Sequence, residues 1–584
     1  MCWDHAAVRS QGRRPHLPRC VGTSLLLFLL GLSDASAGTP EAGRSDQPGP
    51  AIAQQLVARH CTSCHLAPDP SDLPREDWPT ALHWMGHYVG LTAAALPDLS
   101  VTELESYAPY IFLYALTDAT GQQRRMLVFR PFMRDTPLMT PEEYAQVRQY
   151  FVANASTRSE MTIQRGRNPV LESFTPFYPA TGIPPNSFIP SLLVDDARKL
   201  LYVGRGSNPP ARRTLAPGQA PSGTSDEVHA FDLAGNRPLD KLTVMTVPLS
   251  LEARPSGLRI GTHGVFPVNM EYGWGQVLDW IRDDTRAVQP RMLLNGYHRL
   301  THHQTSDLDA DGLEDLVVSG MGDGILEFGG GRVSIFWQTP ARTTQHPPEE
   351  TVDETVLINR AGMIDFEIAD FNGDGKHDIM LLTAQAQHQV LLFINEGNRR
   401  FTMQVIMERS PSFGGISIDV ADFNHDGRPD LLVTNGNNVE LVVQRPYHGL
   451  RVFENRGDLR FVERHFYPMH GATRAVVRDF DNDGNLDIAA VALFPDWGMV
   501  EPETFVYLAG KGDWEFEARS LDVPHWAPWA SIAAGDVNGD GRPDIVLGLG
   551  NYFFSSPPDW TTRPIMRGRD PTAVPAVMFL INES

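Results

Sequence analysis

Asp479-Phe-Asp481-Asn-Asp483-Gly484-Asn-Leu-Asp487, running into Ile488-Ala-Ala-Val-Ala492, is the stretch that decides how this chain folds. Oxygen donors at positions 1, 3 and 5, a glycine at 6 and a carboxylate at 9 suit a hard cation such as Ca²⁺. A helical EF-hand would need a Glu at position 12, and that slot holds Ala490. The apolar run after Asp487 has the length and composition of a buried strand. The loop therefore joins strands.

Four further copies occur, at Asp307-Leu-Asp309-Ala-Asp311-Gly312-Leu-Glu-Asp315, Asp370-Phe-Asn372-Gly-Asp374-Gly375-Lys-His-Asp378, Asp422-Phe-Asn424-His-Asp426-Gly427-Arg-Pro-Asp430 and Asp536-Val-Asn538-Gly-Asp540-Gly541-Arg-Pro-Asp544. Position 12 is apolar in each of them too, at Val318, Leu381, Val433 and Leu547. Successive starts differ by 63, 52, 57 and 57 residues, a near-fixed period that implies a repeat architecture. Units also end in a strand and a polar turn, as in Leu391-Leu-Phe-Ile-Asn-Glu-Gly397, followed by an aromatic strand start at Phe401, Phe461 or Phe516. Four short strands per unit is propeller-blade geometry. These residues resemble the FG-GAP/VCBS repeat family, and the resemblance implies an integrin-like all-β seven-bladed propeller with Ca²⁺ in such loops. It covers roughly residues 170–584.

Counting backward adds two eroded units, one at Val194-Asp195-Asp196-Ala-Arg-Lys and one near residue 250 that has lost its loop. The last unit stops at Val577-Met-Phe-Leu-Ile-Asn582 without an aromatic outer strand. Leu171-Glu-Ser-Phe174-Thr-Pro-Phe177 matches the missing piece and predicts closure of the ring from the N-terminal side, since an open blade edge is a liability. A short connection to that strand predicts that whatever precedes it lies beside the last blade.

What precedes it is of another kind. Residues 1–37 read as an export signal: Arg9, Arg13, Arg14 and Arg19 precede an apolar run, and Ala35-Ser36-Ala37 suits cleavage. An uncleaved anchor is the alternative, but the run is short for a span, so the mature chain is expected to have none. Arg13-Arg14 resembles a twin-arginine signal, although Pro15-His16 depart from that pattern. Residues 38–50 form a Gly/Pro/Ser-rich linker. With Cys2 and Cys20 in the signal, Cys61 and Cys64 are the only thiols left, in Cys61-Thr-Ser-Cys64-His65. That string is the attachment pattern for haem c, with His65 as the proximal axial ligand; a local disulfide or a redox dithiol is the rival. Residues 51–155 are long enough for one small all-α, class I-like cytochrome c domain, with helices expected over 52–60, 77–88, 102–116 and 141–153. Thr140 caps the last, with Pro141 at its first position. A linker at 156–170 separates it from the propeller at 171–584. Leu66–Trp78, Trp84-Met85-Gly86, Phe494-Pro-Asp-Trp497 and His525-Trp526 resemble bacterial cytochrome–VCBS fusion proteins of unassigned function.

Met85 is the preferred sixth haem ligand because it lies within that resemblance, and Met139, just before the last helix, is the runner-up. Met126, Met133, His83 and His87 stay open. The net charge of −22 argues against nucleic acid as a partner. Asp365, Glu367 and Asp419 read as solvated or turn residues, and 205–228 as a long loop. His263, Glu271, Tyr272, Trp274, His302, His303, Asp323 and Glu327 read as blade-end packing in preference to a face pocket. Adjacent strand residues such as His302 and His303 point to opposite faces. No nucleophile triad, phosphate loop or nucleotide fingerprint occurs. Three classes follow: a periplasmic or surface-exposed electron-transfer protein whose propeller docks a redox partner or ligand; an oxidoreductase with its substrate on the propeller; and a carbohydrate- or surface-binding protein.

Overall fold

The computed structural model describes residues 50–63, 66–92, 95–96, 136–161, 166–206, 226–263, 275–282, 290–322, 330–338, 353–384, 387–437, 445–495, 502–522, 527–550 and 574–584. Residues 1–49 of the signal and first linker, Cys64, His65, Met126, Met133 and the helix expected at 102–116 lie outside them. So do Glu271, Tyr272, Trp274, Asp323 and Glu327. No described helix is long and apolar enough to cross a membrane.

Seven four-stranded antiparallel sheets account for every described strand. Their inner strands are Phe188–Asp195, Pro248–Arg254, Leu300–Ser306, Met363–Ala369, Gly415–Ala421, Ala472–Arg478 and Trp529–Gly535. The second strand of each of the five repeat-bearing blades starts at the position-9 aspartate: Asp315–Gly320, Asp378–Thr383, Asp430–Asn435, Asp487–Ala492 and Asp544–Leu549. Those strands are almost wholly buried, because both faces of each sheet lie against neighbouring blades. That explains their unbroken apolar runs, which lack the period-two alternation of a half-solvated strand.

The ring closes as expected. Phe174–Phe177 adds to Val577–Asn582 as the outer strand of the seventh blade, in the register Phe174↔Asn582 to Phe177↔Phe579. Phe174 is 4% exposed, with its ring centroid 5.9 Å from that of Phe480 and 5.6 Å from that of Tyr507. Just upstream, the Leu171 amide donates to Ser520 O at 3.0 Å on the sixth blade. The closing segment thus touches two blades at once.

The helical segment carries α1 (Pro50–His60), α2 (Trp78–Tyr88), α3 (Pro141–Asn154) and α4 (Arg158–Met161). At the start of α3 the Thr140 hydroxyl accepts the Glu143 amide and the Glu143 carboxylate accepts the Thr140 amide, a capping box. Trp78, 1% exposed, donates its Nε1–H to Pro70 O at 2.9 Å and packs 4.2 Å from Phe151. Within the stretch read as a linker, α4 is tied back by an Arg158–Asp77 ion pair at 2.6 Å. The segment does not dock beside the last blade, as its short connection suggested. Ser410 Oγ donates to Asp72 Oδ2 and Tyr447 OH donates to Asp72 O, both at 2.6 Å. These groups lie at the junction of the fourth and fifth blades. The connection starts where the fifth and sixth blades meet, with Asn168 Nδ2 donating to Tyr467 OH on the fifth and to Glu503 Oε1 beside the sixth.

Candidate ion loops and haem-attachment segment

All five loops have one backbone design. Positions 4 and 6 take positive φ, at Ala310 and Gly312, Gly373 and Gly375, His425 and Gly427, Asn482 and Gly484, and Gly539 and Gly541. No atom lies within 4 Å of a Cβ built on the position-6 glycines, so glycine is there for its dihedral and not for space. The position-1 carboxylate accepts the position-6 amide, and in four of the five loops also the position-5 amide. In the fourth loop these are Gly484 N to Asp479 Oδ2 at 3.0 Å and Asp483 N to Asp479 Oδ1 at 3.1 Å. Each oxygen of Asp479 keeps a second lone pair for an ion.

Position 9 does different work. Asp315, Asp378, Asp430, Asp487 and Asp544 are all 0% exposed. One oxygen accepts the position-2 amide and the other accepts an amide at or just beyond the end of the third strand. In the third loop these donors are Phe423 N at 3.0 Å and Asn455 N at 2.7 Å. Burial pushes Asp315, Asp378, Asp430 and Asp544 up to about 6, against the opposing pull of those amides. Asp487 is also raised, mainly by burial. These residues clamp the loop to its blade whether or not an ion is present.

Charge divides the loops into two kinds. In the first and fourth, three carboxylates each place an oxygen within 4.8 Å of the others: Asp307, Asp309 and Asp315, and Asp479, Asp481 and Asp483. That spread suits a cation with oxygen ligands at about 2.3–2.6 Å. The second, third and fifth loops have Asn372, Asn424 and Asn538 at position 3 and a cation at position 7. Lys376 Nζ lies 2.5 Å from Asp374 Oδ2, Arg428 pairs with Asp426, and Arg542 Nη2 lies 3.2 Å from Asp540 Oδ2. Lys199 Nζ also reaches Asp536 at 2.9 Å. The first loop is engaged from outside by Arg399 at Asp309, at 2.7 Å; the fourth has no ion-paired carboxylate among the described residues.

A set of asparagines escaped the sequence reading. Asn395, Asn455 and Asn582 end the third strands, and each side chain donates to position 2 of the preceding blade's loop: Leu308 O at 2.8 Å, Phe371 O at 3.0 Å and Phe480 O at 2.7 Å. They staple neighbouring blades. Their recurrence at one place in the repeat was the signal.

The helical segment brings Cys61, Met85 and Met139 to one apolar cluster with Leu82, Trp78, Tyr144, Val147 and Phe151. Met139 is 4% exposed and Met85 is partly buried. His83 and His87 meet edge to face at 5.2 Å on α2. Tyr144 OH donates to Leu82 O, and burial raises this phenol above its ordinary range. A thiol and two thioethers on one apolar surface fit the covalent edge and axial position of a haem c.

Asp365, Glu367 and Asp419 correct the sequence reading. They are inner-strand residues, and Asp365, 2% exposed, pairs with Arg474 at 2.8 Å and lies 3.7 Å from His302. Their closeness to the loops in sequence suggested turns, but the strand is already under way at those positions. His302 and His303 do diverge: the former packs on Phe366 at 4.9 Å, and the latter faces Glu252 at 3.8 Å. His263 is packed, 2% exposed, with Nδ1 2.8 Å from Leu300 O.

Comparison with known proteins agrees on the repeats. Residues 307–381 and 370–433 match the FG-GAP-like repeat family, and residues 528–553 match the FG-GAP repeat. No curated protein sequence matches the chain. Among solved structures, the N-terminal domain of Nup159 is similar at 10% identity, covering 66% of this chain and 95% of that one, with a TM-score of 0.38. BBS1N, solved in complex with ARL6DN, is similar at 8% identity, covering 71% and 98%, with a TM-score of 0.39. At those scores the likeness carries no argument, and the seven sheets of this chain stand on their own topology. The chain carries FG-GAP repeats within a seven-bladed β-propeller.

Proposed function

We propose that this is an exported, periplasmic electron-transfer protein, with one haem c on its helical segment and a cation-stabilised propeller that docks a redox partner or ligand. The observation that carries this reading is the placement of Cys61 at the end of α1 against the cluster that holds Met85 and Met139. Cys61 and Cys64 would bind the porphyrin edge and His65 one axial position, and the bound group supplies one-electron transfer. The chain's own part is to exclude water. Trp78, Val147 and Phe151, each no more than 1% exposed, make the apolar wall, which favours the less charged redox state. Met139 is the more deeply buried thioether and Met85 stands on α2, so both can face the site from different elements. In the propeller, the first and fourth loops are the sites for Ca²⁺, and Lys376, Arg428 and Arg542 supply part of the positive charge in the other three.

The test is a haem stain of the denatured protein made in a host competent for cytochrome maturation, followed by spectra of Met85→Ala and Met139→Ala. A covalently retained haem whose reduced spectrum changes in one variant supports the reading. A colourless chain with a Cys61–Cys64 disulfide contradicts it.

A further inference from the structure

Three hairpins reach over the ion loop of the blade before them, and they do so with the same residue of the turn. In the fourth blade, His388–Gly397 and Arg400–Arg409 are joined by Asn398 and Arg399 alone. Two places before the aromatic strand starts at Phe401, Phe461 and Phe516 stand Arg399, Leu459 and Trp514. All three take positive φ, at 59°, 56° and 66°. Leu459 packs against the cluster that holds Phe371, and the Trp514 ring centroid lies 6.3 Å from that of Phe423. Phe371 and Phe423 are position 2 of the second and third loops. Two of these hairpins thus cover a loop with an apolar side chain, and the remaining one covers the first loop with a cation.

The turn itself does not require arginine. A two-residue hairpin with positive φ at both central positions, 52° and 59° here, favours Asn-Gly. The arginine instead serves the first loop. Its Nε donates to Asp309 Oδ2 at 2.7 Å, its Nη1 donates to Asp353 Oδ2 at 2.6 Å, and its guanidinium carbon lies 4.7 Å from the centre of the Trp337 ring. All three partners belong to the third blade. Asp309 is one of the three carboxylates that converge in that loop.

The fourth loop has the same carboxylate and no such cover. Asp481 Oδ1 accepts the Asp483 amide at 3.2 Å, as Asp309 Oδ1 accepts the Asp311 amide at 3.3 Å. Asp481 Oδ2, unlike Asp309 Oδ2, has no partner among the described residues. The reason is topological. The next blade takes its outer strand from Phe174–Phe177, so no hairpin joins its third and fourth strands.

We infer that Arg399 is a tethered counter-cation that competes with calcium for Asp309, so that the fourth loop fills first and the first loop fills only at higher calcium, when the metal displaces the guanidinium. The inference rests on the reading of these two loops as calcium sites. An ion on Asp309 Oδ2, at about 2.3–2.6 Å, would stand no more than about 5 Å from Arg399 Nε in its present place, and like charges at that range disfavour each other. Asp353 lies outside the loop and retains the guanidinium when Asp309 turns to the metal. Filling the first loop therefore gives up an ion pair between the third and fourth blades, whereas filling the fourth gives up none among the described residues.

The test is calorimetric titration of the full-length, calcium-stripped protein with calcium chloride, for wild type, Arg399→Gly, Asp309→Asn and Asp481→Ala. Glycine is the residue that the turn favours, so Arg399→Gly removes the guanidinium and leaves the hairpin intact. In the wild type, the step lost in Asp481→Ala should be at least about tenfold tighter than the step lost in Asp309→Asn. Arg399→Gly should tighten the weaker step at least about tenfold and leave the tighter one within about twofold. Equal steps in the wild type, or a weaker step that Arg399→Gly fails to tighten, would overturn the inference while leaving both loops as calcium sites. No calcium uptake by either wild type or Arg399→Gly would overturn the reading of the loops together with it. None of these readouts depends on haem.

Discussion

Loops 479–487 and 422–430 share a backbone and differ in charge. In the former, Asp479, Asp481 and Asp483 converge, and none of them forms an ion pair among the described residues. In the latter, Asn424 replaces the middle carboxylate and Arg428 pairs with Asp426. The same turn is thus completed in two ways, by an ion from solution or by a side chain of the protein. A repeat motif reports the turn; its charge count reports what neutralises it.

The largest effect expected from this contrast is that of chelation. At free calcium 100-fold above Kd, each filled site adds about 2.7 kcal/mol, so removing calcium should lower the melting temperature by on the order of 5–10 °C. An unchanged melt at low free calcium would show the loops to be turns only. Next in size, Asp481→Ala should remove about half of that calcium-dependent gain, whereas Asn424→Ala should remove little of it. Equal losses would break the distinction between the loops. Arg428→Leu sharpens it in the other direction: it copies Leu313 of the first loop and should make the third loop's stability more dependent on calcium, read as a wider gap between melts with and without chelator.

The position-9 carboxylates add a pH signature. For Asp315, Asp378, Asp430 and Asp544 the folded pKa of about 6 lies above the unfolded value of 3.8, so between these limits the calcium-free fold binds more protons than the unfolded chain. Its stability from these groups is therefore greatest below pH 3.8 and is lost as pH rises through 6. Calcium opposes the loss at Asp315, in the first of the two loops assigned to it, by favouring the charged form. The gap between calcium-loaded and chelated melts should widen from pH 4 to 7; a constant gap contradicts the assignment. The smallest effect is local: Ala310 is the one alanine at a left-handed position 4, and Ala310→Gly should stabilise the chain by about 1 kcal/mol, measured by denaturant titration.

Much of the propeller was legible because its decisive pattern is stated five times in phase. Blade number, strand order and the closing strand at Phe174–Phe177 all follow from spacing and from the missing outer strand. Repetition was also what hid the inner-strand charges. Asp365, Glu367 and Asp419 do not recur as a motif, since each occupies a position where another blade has serine, leucine or alanine, and only the paired strands align them. The position-7 cations lay in plain view at Lys376, Arg428 and Arg542, but their meaning depends on side-chain reach. The docking of the helical segment at Asp72 was not legible, because it rests on two hydrogen bonds between residues more than 300 apart. Cys61-Thr-Ser-Cys64-His65 occurs once, so its reading has no internal repeat to check it.

That makes the haem the point to measure. The absorption spectrum of the purified exported protein, denatured and reduced in alkaline pyridine, reports both the number of haems and the number of thioether bonds. One haem per chain, with the band position of two thioethers, is the result expected from Cys61 and Cys64. A protein without haem bands, or one whose haem is extracted by acid acetone, would contradict the account.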